Sequence, residues 1–105
     1  MDGLRRYVEE HIQEEISVDM MAAWLGLSKS KLYRELKEIT DYSPIDIVNL
    51  IKLRKAVNLM IYDGFNISEA AFQSGFSSPS YFSRAFQKYY HERPKDYVKR
   101  NSANF

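Results

Sequence analysis

Apolar residues recur at three- and four-residue spacing along most of the chain, which is the period of helices that each bury one face. Leu4, Tyr7, Val8 and Ile12 mark a first helix. Ser17 has the side-chain oxygen of an N-cap, and Met20, Met21, Trp24 and Leu25 supply the expected buried face of a short second helix. Gly26 stops that helix, because a residue without Cβ takes positive φ at little cost. Ser28 caps a third helix with an inward stripe of Leu32, Leu36 and Ile39. Pro44 suits a first helical position and opens a long segment to Gly64, in which Ile47, Val48, Ile51, Leu53, Val57, Met60 and Ile61 wrap much of the circumference. A helix so apolar is expected to be covered by its neighbours and not to stand free as a linker. Ser68 is expected to cap a fifth helix that Gly75 ends, and Ser78-Pro79 to start a sixth with Phe82, Phe86 and Tyr89 inward. Trp24 and Tyr81 also read as core. Pro94 opens a seventh helix, and residues 101–105 read as a frayed tail. β-Branched runs bounded by hairpin turns are absent, so the fold class is all-α with about seven helices.

The pattern repeats. Ala22-x-x-x-Gly26-Leu27-Ser28 matches Ala71-x-x-x-Gly75-Phe76-Ser77 at an offset of 49. One extra residue then enters the second copy. Beyond it Ser28, Leu32, Arg34, Leu36 and Pro44 match Ser78, Phe82, Arg84, Phe86 and Pro94 at an offset of 50. Even the following helix repeats, as Pro44-x-Asp46-x-Val48 against Pro94-x-Asp96-x-Val98. So many matches in register indicate a duplicated supersecondary unit.

Each copy reads as a short helix, a glycine turn and a second helix that crosses the first. The small Ala22 and Ala71 let the crossing helix approach closely. With Leu32/Leu36 and Phe82/Phe86 turned inward, the opposite faces carry Ser30, Tyr33, Arg34 and Lys37 in one copy and Ser80, Ser83, Arg84 and Gln87 in the other. Hydrogen-bond donors and a cation on the exposed face of the second helix are what a helix-turn-helix presents to the DNA major groove.

Composition removes the other classes. No cysteine is present, and His11 and His91 are isolated, so neither a disulfide scaffold nor a metal site is expected. The acidic pairs Glu9-Glu10 and Glu14-Glu15 have no nucleophile or metal ligand converging on them, so no enzyme and no cofactor is expected. No apolar run approaches the ~20 residues of a membrane span, and no membrane contact is expected of this segment. The net charge of +1 conceals an asymmetry: residues 1–42 carry six Lys/Arg against nine Asp/Glu, residues 43–105 nine against five. The basic part suits a polyanion without establishing one.

At these residues the chain resembles a known family. It is similar to the DNA-binding domain of AraC/XylS-type bacterial transcription regulators, which has seven helices: two helix-turn-helix units joined by a long linker helix. The run Gly75-Phe76-Ser77-Ser78-Pro79-Ser80-Tyr81-Phe82-Ser83-Arg84-Ala85-Phe86 carries the likeness, continued by Pro94 and Tyr97. Met21-Ala22-Ala23-Trp24-Leu25-Gly26-Leu27-Ser28 with Leu32-Tyr33-Arg34 fits the first unit. Asp41 and His91 stand where the family usually has glycine, so both are expected in left-handed backbone with mild strain.

The resemblance implies one domain over residues 1–105: a first unit at about 17–40, the linker helix at about 44–64, a second unit at about 67–90 and a closing helix at about 94–101. It implies double-stranded DNA as partner, with Ser30, Tyr33, Arg34, Ser80, Ser83 and Arg84 as base-reading candidates. Arginine is favoured because a guanidinium pairs bidentately with guanine. Lys29, Lys37, Gln87 and Lys88 are candidates for phosphate. The linker helix, roughly twenty residues at about 1.5 Å each, approaches the ~34 Å between successive major grooves, so the two recognition helices are expected in adjacent grooves. The competing readings are a helical protein-interaction module, and Arg34 or Arg84 as ion-pair partners of surface acids such as Glu38. Family members usually add a sensing or dimerisation domain. The sequence is therefore expected to be part of a longer regulator, similar to the output domains of hybrid two-component sensors. RNA polymerase is a candidate further partner, and the expected location is cytoplasmic, with membrane anchoring open for a full-length sensor.

Overall fold

A computed structural model describes residues 2–102, with the side chains of residues 3–101. Among the described residues there are seven helices and no strand: α1 (Asp2–Glu10), α2 (Val18–Leu25), α3 (Lys29–Ile39), α4 (Pro44–Ile61), α5 (Ile67–Gln73), α6 (Pro79–Tyr90) and α7 (Pro94–Ser102). The chain divides into two compact units, Met1–Ile51 and Lys52–Phe105, with the boundary inside α4. Helix α7 includes Asn101 and Ser102, where a frayed tail was expected; residues 103–105 lie outside the described residues.

In the first unit α2 packs against both α1 and α3. Leu4, Tyr7, Val8, Met21, Ala22, Leu32, Leu36 and Val48 form one buried cluster, flanked by Ile47 and Ile51 of α4. Helix α1 ends at Glu10, two residues short of Ile12, which is buried in the following turn. Ser17 and Ser28 cap α2 and α3 as expected, accepting from the Met20 and Lys31 amides at 3.1 Å each. The buried face of α2 is narrower than the sequence suggests. It consists of Met21 and Ala22, while Met20 and Trp24 are each 43% exposed. A helix of eight residues makes only about two turns, and Trp24 lies with its ring tilted 5.3 Å from Tyr7 at the rim. Ile39 is a second correction: it is 63% exposed, because the α3 stripe ends at Leu36 one turn before the helix does.

The second unit packs Leu53, Ala56 and Met60 of α4 against Ala70, Ala71, Phe76, Phe82, Ala85 and Phe86. Its interior is aromatic: Phe76–Phe82–Phe86 run 5.1 and 5.7 Å between ring centroids, and Tyr90 stacks on Phe86 at 4.5 Å. Tyr89 is half-buried, and Tyr81 is 40% exposed with its ring 5.9 Å from Phe76. Helix α5 is capped by Asn66 and not by Ser68. Asn66 Oδ1 accepts from the Glu69 amide at 2.8 Å, and Glu69 Oε1 accepts from the Asn66 amide at 3.1 Å. This reciprocal pair satisfies two end donors at once, so it outcompetes a serine two residues later. Ser43 and Asp46 make the same exchange at the start of α4, at 3.1 and 3.2 Å.

The two glycine-replacement positions differ. His91 is left-handed (φ 61°) and ends α6 with its amide donating to Gln87 O at 2.9 Å. Asp41 is not left-handed, because α3 ends earlier on an extended Thr40 (φ −159°) whose amide donates to Leu36 O.

Two stability predictions follow from these placements. Leu36→Ala should cost about 2–5 kcal/mol in denaturant unfolding, whereas Ile39→Ala should stay within about 0.5 kcal/mol. His91→Gly should raise the stability of the second unit by about 1 kcal/mol by removing a left-handed Cβ. Asp41→Gly should give no such gain, since it only loosens the unfolded chain.

Candidate nucleic-acid interface

The duplicated turn is built twice with the same bonds. Gly26 (φ 72°) and Gly75 (φ 86°) hold the left-handed position. The next amide reaches back five residues, from Leu27 to Ala22 O at 2.9 Å and from Phe76 to Ala71 O at 3.0 Å. The glycine amides themselves donate to Ala23 O and Phe72 O, at 3.1 Å each. This is the Schellman pattern, in which two otherwise unpaired carbonyls are satisfied and the chain turns sharply. Leu27 is half-buried and Phe76 fully buried, so the residue after each glycine pins the turn to its own core. The extra residue of the second copy is Ser77, which separates this turn from the N-cap Ser78. Ser78 Oγ accepts from the Tyr81 amide at 3.1 Å, as Ser28 does for Lys31.

Beyond the caps, α3 and α6 bury equivalent positions and expose equivalent ones. Leu32 and Leu36, and Phe82 and Phe86, are at most 1% exposed. In the first unit Ser30, Tyr33, Arg34 and Lys37 are all exposed and line one open groove of about 640 Å³. Four candidates from the sequence are thus brought together, with Thr40, Asp41, Tyr42 and Ser43 completing the wall. In the second unit Ser80, Arg84 and Gln87 are exposed and Ser83 is half-buried, again a stripe at helical spacing. Among the described residues neither Arg34 nor Arg84 has an ion-pair partner, so the Glu38 pairing does not form. Helix α6 carries Arg84 and Lys88 and no carboxylate.

The lysine candidates are less uniform. Lys37 belongs to the groove, but Lys29 Nζ lies 3.4 Å from Asp19 Oδ1 across the turn from α3 to α2. Both side chains are exposed, and such a pair is worth about 0–1 kcal/mol, so it is easily exchanged for another anion. Lys88 is an exposed residue, with its Nζ 5.2 Å over the Tyr89 ring.

Two further residues are not marked by helical periodicity. Tyr42 lines the same groove as Tyr33 but lies outside α3. Lys52 of α4 donates from Nζ to Gly75 O at 3.1 Å and lies 5.8 Å from the Phe76 ring. Burial lowers its pKa below the ordinary lysine value. A half-buried cation latched on the turn carbonyl braces the turn before α6, and nothing in local spacing marks it.

Comparison with known proteins agrees with this geometry. A helix-turn-helix domain family matches residues 21–100. A protein described as histidine kinase P4 of Formosa agariphila is 35% identical over 101 residues, covering 95% of this chain and 7% of that protein. The transcriptional regulator AdiY of Escherichia coli K12 is 37% identical over 98 residues, covering 92% of this chain and 38% of AdiY. The chain thus spans well under half the length of these relatives. The DNA-binding domain of AdpA, solved in complex with a target DNA, superposes with a TM-score of 0.83 at 21% identity, over 98% of this chain and 93% of that one. That likeness is one of fold. Together with the duplicated turn, the matched exposed faces and the extent of the family match, it places the chain: it belongs to the AraC-type helix-turn-helix DNA-binding domains.

Proposed function

We propose that this domain binds duplex DNA sequence-specifically as the DNA-reading part of a transcription regulator, with α3 and α6 as recognition helices in two successive major grooves. The observation that carries the reading is the pair of equivalent stripes, Ser30-Tyr33-Arg34-Lys37 and Ser80-Ser83-Arg84-Gln87, each held outward by the same turn and cap. Arg34 and Arg84 read guanine, since unpaired guanidiniums can engage O6 and N7 together. Tyr33, Ser30, Ser80 and Ser83 contact neighbouring base edges. Lys37, Lys88 and Gln87 hold phosphates, and Lys29 joins them by exchanging Asp19 for a phosphate oxygen.

The relatives support this assignment. AdiY is named a helix-turn-helix transcriptional regulator, and the AdpA domain of the same fold was solved on its target DNA. The match inside a protein described as a histidine kinase supports use of such a domain as the output of a two-component sensor. None of the helices, among the described residues, is long and apolar enough to cross a membrane. As the DNA-reading part of a regulator, the domain would act where DNA and RNA polymerase are, in the cytoplasm, under control of a sensing or dimerisation segment.

Selection of a binding site from random duplexes, followed by mobility shift, tests the proposal. Arg34→Ala and Arg84→Ala should each lose about 1–3 kcal/mol on the selected site and relax preference at one or two base pairs. Lys37→Ala and Lys88→Ala should weaken all sequences alike and reduce the salt slope by about one counterion. Binding that ignores salt, or no binding to any duplex, would overturn the proposal in favour of a protein-interaction module.

A further inference from the structure

The second unit contains a cavity that the recognition stripes do not use. It measures about 430 Å³ and lies between the C-terminal half of α4 and α7, with the end of α6 as its third wall. Arg54, Val57, Asn58 and Ile61 reach it from successive turns of one α4 face; Tyr90 comes from α6, and Tyr97 and Asn101 from α7. The volume is within the ~300–1,000 Å³ typical of small-molecule sites.

Its chemistry is one-sided. Arg54 is the sole charged residue in the lining. Among the described residues its guanidinium has no hydrogen-bond or ion-pair partner, and the same holds for the Asn58 amide and the hydroxyls of Tyr90 and Tyr97. The Asn101 amide is committed, donating to Tyr97 O at 2.8 Å. Burial and the neighbouring Tyr97 push the Tyr90 hydroxyl above its ordinary range, with Arg54 opposing, so at neutral pH it is a donor and not a phenolate. The tyrosine rings meet edge to face at 90° and 5.4 Å, while Val57 and Ile61 give an apolar floor. Unpaired donors around one cation, beside flat apolar walls, complement an anion attached to a planar ring.

We infer that this cavity is a binding site for a small aromatic monocarboxylate, its carboxylate held by Arg54 and Asn58 and its ring laid on Val57, Ile61 and the tyrosines. Occupancy ties α4, α6 and α7 together. Because Tyr90 is the last residue of α6 and stacks on Phe86, it also braces the helix that carries Arg84. The site thus offers a way for a metabolite to stabilise one of the two DNA-reading units.

The experiment is a nitrogen-15 NMR titration of the 105-residue chain with benzoate, without DNA, so its outcome is independent of the DNA assignment. Benzoate should shift the amide signals of Asn58, Tyr90 and Asn101 saturably, with a Kd on the order of 1 mM, and leave those of Arg34 and Lys37 in place. Benzamide, the same shape without the charge, should bind at least about tenfold more weakly, and Arg54→Gln should lose benzoate to the same degree. Absence of saturable shifts up to about 10 mM benzoate would overturn the inference. So would benzamide binding as well as benzoate, or an Arg54→Gln variant that folds and binds benzoate unchanged. Should that variant fail to fold, the comparison of benzoate with benzamide on the unaltered chain decides alone.

Discussion

The organising constraint is the sharp left-handed turn between two helices that must cross closely. Each copy meets it with the same few atoms: a glycine at positive φ, a back-reaching amide, an alanine under the crossing and an apolar residue anchoring the turn. Once the turn is fixed, the serine cap sets where the next helix starts, and the start sets which residues face out. Arg34 and Arg84 are therefore exposed through backbone hydrogen bonding several residues upstream, not through any contact of their own. The proposed reading role requires this arrangement. Side chains that are to read bases must stay unpaired in the free protein, so their orientation has to come from the scaffold.

The copies have diverged in how they fill the space behind that turn. The first uses branched and aliphatic side chains, Leu32 and Leu36 with Met21 and Val8; the second uses Phe82, Phe86 and Phe76, extended by Tyr90 and Tyr97. Rings occupy more volume per position, and the second copy accommodates them alongside Ser77, the inserted residue, and a left-handed His91 that keeps α6 one residue longer than α3. The latch from Lys52 to Gly75 belongs to this second solution. The edge-to-face pair of Tyr90 and Tyr97 also lines the cavity at the end of α6.

Most of this was legible in the sequence, for a physical reason. Caps and glycine turns are local: Ser17, Ser28, Ser78, Gly26 and Pro44 act within four residues, so their spacing alone reveals them. The repeat converted the local signals into an architecture, and the exposed stripes followed from the buried ones. The errors arose where locality failed. Ser68 has the chemistry of a cap but no reciprocal partner, whereas Glu69 stands three residues after Asn66 and completes a capping box. Trp24, Tyr81 and Ile39 were assigned to the core by hydrophobicity, but burial at a helix end depends on whether a neighbour extends that far. Asp41 was expected to be left-handed by analogy with His91, yet α3 unwinds into extended Thr40 one residue earlier. Lys52 carries no local signal, since its partner Gly75 is reached only through the fold.

Helix α4 shows why the longest element gives the weakest periodic signal. Ile47, Val48 and Ile51 serve the first core, while Leu53, Ala56 and Met60 serve the second. At about 100° per residue these two sets fall on different faces of the helical wheel, so no single stripe runs its length. The apolar wrapping seen in the sequence is the sum of two ordinary amphipathic faces placed end to end. That division also decides what α4 can still offer to solvent. In its second half the core takes Leu53, Ala56 and Met60, and the positions between them, Arg54, Val57, Asn58 and Ile61, are left to face the cavity beside α7. A helix that one protein core used along a single stripe would expose a plain polar back. One that changes partner midway must carry apolar residues on more than one side, and where the second core ends, some of that apolar surface and the charge beside it remain open to a ligand.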